Sequence, residues 1–270
     1  MARDIFPLQR SFDQANLSLE KSFKRLASGK RIVSSADDTA GNAIAQQLAA
    51  IVSLSEQARR NTGDAISASE IAGGAATQLT DIAGRLAELS AQSANGTISS
   101  DQRAVLDQEF QALSQETQRI VETTQFNGVS LLGGTDIAVQ AGIDGSSSSV
   151  ISVAGANDGA IADSLATLSI ATQAGARTSL DTISTVIKAI SEETGKQGTA
   201  QNRLQIATQN LATAALNNQS ARAQIEDVDV ASETLTQSLA TTRRQISTTL
   251  QGQYQAQGVA ELIGGKGRRG

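Results

Sequence analysis

Apolar positions near the start of the chain recur at alternating steps of four and three. Leu8, Phe12, Ala15, Leu19 and Leu26 form one stripe, with Ser22 the single gap and Phe23 beside it able to widen the face. That spacing predicts a helix with a narrow coiled-coil-like seam. Pro7 sits ahead of it, where a first helical turn tolerates proline, and Gly29 ends it. Ser35 and Asp38 read as a capping box for a long helix over about 37–92, with Gly73-Gly74 as a kink or a close helix contact. Ile44, Leu48, Ile51, Ser55 and Ala58 make one stripe on it, and Ile82, Leu86 and Leu89 another. Ala94–Thr97 reads as a turn, after which Ser99 or Ser100 caps a helix carrying Leu106, Phe110, Leu113, Thr117 and Ile120.

The pattern changes over about 125–175, where Gly, Ser, Asp and Thr are frequent. Short β-prone pieces at 129–132, 137–139 and 150–153, with turn signals at Gly133-Gly134 and Asp144-Gly145, predict hairpins. Ser146, Ser147, Ser148 and Ser149 form a loop tip. Helical spacing returns over about 178–223 and breaks near Glu226-Asp227. A last seam follows through Val228, Leu235, Leu239, Thr242 and Ile246 towards Leu262. The fold class expected is mainly α: long terminal helices in coiled-coil-like bundles, with a small β-hairpin region in the middle. The division expected is 1–40 with 230–270 as an inner terminal-helix domain, and 41–229 as an outer helical domain with hairpins at about 125–175.

Composition narrows the function. Aromatic residues make up 2% of the 270 positions, with no Trp, so the interior must be filled by Ala, Leu, Ile and Val. With no Cys and no His, the chain lacks thiolate chemistry, Cys/His metal sites and histidine acid–base work. A net charge of −5 argues against a nucleic-acid partner. No apolar run approaches the roughly 20 residues of a membrane helix, and MARDIFPLQRSF lacks the apolar core of a cleavable signal peptide.

Motifs that spell catalysis fail on context. Ser18-Leu19-Glu20-Lys21 fits S-x-x-K, but its companion motifs are missing and Leu19 belongs to a seam. Gly265, Gly267 and Gly270 spell G-x-G-x-x-G with no preceding strand. Asp37-Asp38 and Asp227/Asp229 read as helix starts rather than metal or acid–base pairs. No cofactor is expected. The two terminal seams are each marginal as lone helices and need partners. Periodicity leaves open whether the partner lies in the same molecule or in another copy.

Several segments resemble bacterial flagellins. Leu26–Leu48 (LASGKRIVSSADDTAGNAIAQQL), Leu86–Thr97 (LAELSAQSANGT) and Thr123–Gly134 (TTQFNGVSLLGG) look like the N-terminal signature. Ala200–Leu204 (AQNRL) and Ala221–Glu233 (ARAQIEDVDVASE) look like the C-terminal one. The resemblance spans about 1–140 and 180–262 in the same order. It implies a subunit that polymerises into the flagellar filament for swimming, without large outer domains, because the interval between Leu132 and Ser179 is short. It implies type III export to the cell exterior. The implied partners are copies of itself, an export chaperone, and hook-associated and cap proteins. The hook–filament junction protein of the same family is the alternative. A secreted enzyme grafted into such a chain finds no room in the short middle.

The resemblance also marks Arg85, Leu89 and Glu109, which match positions that contact a vertebrate Toll-like receptor and pack between subunits. A further family Arg is Ala87 here. Some family members carry O-linked sugars on outer Ser and Thr, for which Ser146–Ser149 is the exposed place. The Asn16, Asn95 and Asn218 sequons are read as chance. The ending GGKGRRG departs from the family pattern, and a basic lumen from Lys266, Arg268 and Arg269 or a solvated tail are its two readings.

Overall fold

The computed structural model describes residues 2–153, 155 and 157–265, apart from the side chains of 2–5, 7–8 and 258–265. Leu8, Leu262 and the basic tail therefore lie outside the described side chains. Six helices carry the chain: α1 (Ala2–Ser28), α2 (Thr39–Ser93), α3 (Ser100–Thr123), α4 (Asp158–Ala166), α5 (Gln173–Glu226) and α6 (Val230–Gly265). Four short strands lie between α3 and α4: β1 (Gln125–Phe126), β2 (Val129–Ser130), β3 (Ile137–Gln140) and β4 (Val150–Val153). The mainly α class holds. The chain forms two compact units, Met1–Ala50 with Asn217–Gly270, and Ile51–Leu216. These boundaries differ from the expected 40/41 and 229/230 because α2 and α5 each supply about ten residues to the terminal unit.

In the first unit α1 pairs antiparallel with α6. Ser22 Oγ donates to Glu233 Oε1 at 2.6 Å, and Ser11 Oγ lies 3.2 Å from Ser247 Oγ. Ala15, Leu19 and Ser22 are buried on α1 against Glu233, Ala240 and Ser247 on α6. Phe12 and Leu26 are half-buried, while Phe23 is exposed and does not widen the seam. The gap at Ser22 is instead filled by a hydrogen bond. Gly29, at φ 70°, ends α1 in the left-handed region that a Cβ disfavours. Beyond it, Arg31 N–H donates to the Glu226 carbonyl at 2.6 Å and Val228 N–H to the Gly29 carbonyl at 3.0 Å. Val228 thus lies ahead of α6 in a backbone bridge, not on the helical seam expected of it.

Asp38, not Ser35, caps α2: its Oδ1 accepts from Gly41 N–H at 2.8 Å. Asp37 closes the preceding loop by accepting from Val33 and Ser34 N–H. Asp229 caps α6 through Ala231 N–H at 3.0 Å. All three are helix-start roles for carboxylates.

The second unit is built on α2, α3 and α5 around a core of Leu79, Leu86, Leu89, Phe110, Ile120, Ile183, Val186 and Ile190. Many Ala residues on α2 take part, which is how a chain poor in rings fills its interior. Of the two readings of Gly73-Gly74, the close helix contact is not seen: a Cβ at either glycine would meet open space, and the α2 helix is unbroken there. Ser99 caps α3 in a reciprocal box with Gln102. β1 and β2 pair through Phe126↔Val129 across Asn127-Gly128, whose φ values of 50° and 79° are those of a tight primed turn. β3 pairs antiparallel with β4 in the register Ile137↔Val153 to Gln140↔Val150. The middle segment also contains α4, which the hairpin expectation missed.

Candidate functional site

The terminal unit leaves its most apolar face uncovered. On α6, Leu235, Leu239 and Ile246 are 63%, 52% and 53% exposed, and Leu250 stands beside them. The residues turned to α1 are Glu233, Ala240 and Ser247, at heptad spacing and small or polar. Periodicity left open whether the Leu/Ile seam finds its partner in the same molecule or in another copy, and within this molecule α1 does not cover it. At 100° per residue, Leu239 and Ile246 lie about a quarter-turn from Ala240 and Ser247, so one helix carries two stripes. The strong one faces outward along a groove shared with Leu17, Lys21 and Arg243.

Charges hold the base of this unit. Lys30 Nζ reaches Glu226 at 2.5 Å, and Arg222 Nε reaches it at 2.7 Å. Hydrogen bonding from Lys30, then from Arg222, holds the Glu226 carboxyl below its ordinary range. Bonds from Ser34 do the same for Asp37, and the Gly41 N–H for Asp38. Arg25 lies 3.7 Å from the buried Glu233 and 3.9 Å from Asp37.

In the second unit Arg85 and Glu109 meet on the surface. Arg85 Nη2 lies 2.8 Å from Glu109 Oε1, and Nη1 lies 3.0 Å from Glu88. Both side chains are about half exposed, at 50% and 47%. Leu89 does not join them: it is 1% exposed and packs in the core with Leu86 and Phe110. Of the expected contact trio, the surface ion pair Arg85–Glu109 is exposed on this subunit and Leu89 is in its core. Ser146, Ser147 and Ser148 are exposed and Ser149 half-buried. Asp144 gathers this tip, accepting from Ser146 Oγ at 2.7 Å and also from Ser149 Oγ.

Two positions escaped the sequence reading. Arg103 is buried and donates to the carbonyls of Ser93, Asn95 and Ile98, each at 2.9 Å. It closes the C-terminal end of α2 and the turn after it. Asp158 is 1% exposed, and burial, then the charge of Glu193, pushes its carboxyl up to about 6. Neither residue carries a local pattern that announces burial. Among the described residues no group of three or more acidic, His or Cys side chains could hold a metal, and no helix is long and apolar enough to cross a membrane.

Comparison with known proteins places these features. The model of the bacterial flagellin N-terminal helical region matches residues 6–136, and that of the C-terminal helical region matches 180–263. A flagellin of Halalkalibacterium halodurans is 36% identical over 90% of this chain and 91% of its own length. A flagellar filament core protein of Treponema maltophilum is 29% identical over 92% and 93%. Among solved structures, a Bacillus cereus flagellin matches with a TM-score of 0.51 and 29% identity, covering 56% of this chain and 88% of that one.

Proposed function

The chain belongs to the bacterial flagellin family, and from that premise we propose that it polymerises through the uncovered apolar stripe of α6. It is a structural subunit of the flagellar filament, of the short type without large outer domains. The observation that carries the stripe proposal is the exposure of Leu235, Leu239 and Ile246 on a helix whose other stripe already binds α1. A second copy of this chain is the occupant. It offers apolar terminal-helix surface of the same kind, and repetition of a heterologous contact builds a helical filament. Each such side chain gains about 1.5–3 kcal/mol when buried.

In the filament, the 1–40 and 230–270 segments form the inner layer, and 41–229 the outer one. Arg85 and Glu109 serve contacts between subunits, and on free subunits they are available to a vertebrate Toll-like receptor. The protein is exported to the cell exterior, with an export chaperone before assembly and hook-associated and cap proteins at the filament ends. Its role is mechanical, not enzymatic. Among the relatives reported above are a flagellin and a filament core protein, which favours filament over hook junction. Sugars on Ser146–Ser148 are compatible with that loop's exposure, and intact mass spectrometry reads them as added hexose-scale mass.

Electron microscopy of the purified protein after seeding or salting-out tests the assignment. Long filaments are expected; short rings alone, or no polymer, would overturn it.

A further inference from the structure

A buried aspartate and a half-buried glutamate share the α4–α5 cleft, outside the assembly surfaces described above. Asp158 begins α4, and neither of its carboxyl oxygens has a hydrogen-bond partner. Glu193 on α5 lines the same cleft, and its Oε1 is likewise buried and unpartnered. The other Glu193 oxygen takes Lys196 Nζ at 3.2 Å. The cleft hydroxyls are committed to their own helices: Ser164 donates to Ile161 O, Thr182 to Thr178 O and Thr185 to Asp181 O. From the side of α3 and the 131–132 turn, the groups nearest neighbouring Gly159 are Val121 and the Leu132 carbonyl, both uncharged. Asp163 on α4 is exposed, and Asp136 is bonded to Ser152 and Gly155. Glu193 is thus the charged group acting on Asp158.

A fully buried carboxylate cannot ionise without cost beside a second carboxylate whose inner oxygen is bare, whereas one proton between the two gives each inner oxygen a partner. We propose that Asp158 and Glu193 form a proton-sharing clasp that fastens the N-terminal turn of α4 to α5 and opens when the proton leaves. The helix N-terminus favours the Asp158 anion, yet burial and Glu193 win, raising its pKa to about 6 from 3.8. A raised folded-state pKa means the clasp contributes fully below about 4 and is lost as pH rises to about 6, with no further loss above. Ala162 and Leu165 seat α4 in the core, so opening uncovers apolar surface beside Val121 and Leu132.

Hydrogen exchange on the full-length monomer from pH 4 to 8, corrected for intrinsic rates, reads the clasp in α4 peptides. Protection is expected to fall on the order of 100-fold between pH 4 and about 6.5 and then level. Asp158→Asn should make α4 protection flat with pH, and Glu193→Gln should move the midpoint lower. A flat wild-type profile, or the same fall in Asp158→Asn, overturns the proposal. So does recovery of protection at pH 8 on adding calcium, which would make the pair a cation site. Carbon-13 carboxyl resonances of the wild-type protein give a reading independent of any variant. Titration of Asp158 near 6 supports the clasp, and titration near 4 overturns it.

Discussion

Arg103 shows how one side chain can finish a helix end. A helix leaves four carbonyls without partners, and a planar guanidinium with five donors can reach several at once. Here it takes Ser93, Asn95 and Ile98 from a buried position. Arg103→Ala should cost about 2–4 kcal/mol, since charged hydrogen bonds are lost and buried carbonyls are left bare. Arg103→Lys should recover a minority of that, because an ammonium lacks the fork. Urea unfolding followed by circular dichroism would measure both; equal loss in the two variants would argue that charge alone matters little. The sequence narrowed the α3 cap to Ser99 or Ser100, and the local box with Gln102 selects Ser99. It misassigned Ser35 because the helix starts three residues later, with Asp38, spelled as the acid of a box, itself accepting from the Gly41 amide. Leu89 illustrates the same limit: spacing identifies a position in a motif, not the face it turns to the core.

At the scale of elements, α6 carries two stripes and α1 covers the weaker one. Period alone ranks stripes by hydrophobicity, and so selects Leu235, Leu239 and Ile246 as a seam without saying which molecule supplies its partner. Ala240 and Ser247 win inside the molecule because small residues let helices approach closely, and Ser22–Glu233 fixes their register. Two substitutions separate these roles. Leu239→Asp should abolish polymerisation and leave monomer helicity unchanged within a few per cent, because the side chain is already half exposed. Ala240→Asp should lower helicity in the monomer itself by burying an unpaired charge. Sedimentation and circular dichroism on the two variants check this; filaments of normal length from Leu239→Asp would remove the stripe from the assembly. The missed element, α4, is nine residues long and lies in a Gly- and Ser-rich stretch. With Ala162 and Leu165 as its inward anchors, it has too few turns to show a period. Asn127-Gly128, by contrast, was a visible hairpin signal that the turn assignment passed over.

Across the whole molecule, the two units should answer pH with opposite signs. In the terminal unit Asp37, Asp38 and Glu226 have lowered pKa values, so their contribution exists at neutral pH and is lost as pH falls below the usual carboxylate range. These groups are partly exposed, so salt should weaken the effect in part. Asp158 has the reverse dependence. Between pH 7 and pH 4, exchange protection of monomer peptides from α4 should rise while that of α1 and α6 stays nearly level, and α1 and α6 should lose protection below about pH 4. A fall in both would mean that acid acts on the chain as a whole. Protection at the ends, about 1–40 and 230–270, should also be the first lost in urea. Their intramolecular seam is thin, polar at Ser22, Glu233 and Ser247, and lacks the apolar mass of the second unit.

The sequence by itself determined the long helices, their approximate limits and the family, because heptad spacing, caps and signature segments are written in neighbouring residues. It determined the classes of chemistry open to the chain, because side chains that are missing from the composition cannot act. Only the tertiary structure decided which stripe of α6 meets α1, that Leu89 turns inward, and that Asp158 and Glu193 share a buried cleft. Those outcomes depend on what lies across a gap between distant segments, where close packing and desolvation, not local propensity, choose among several faces of comparable period.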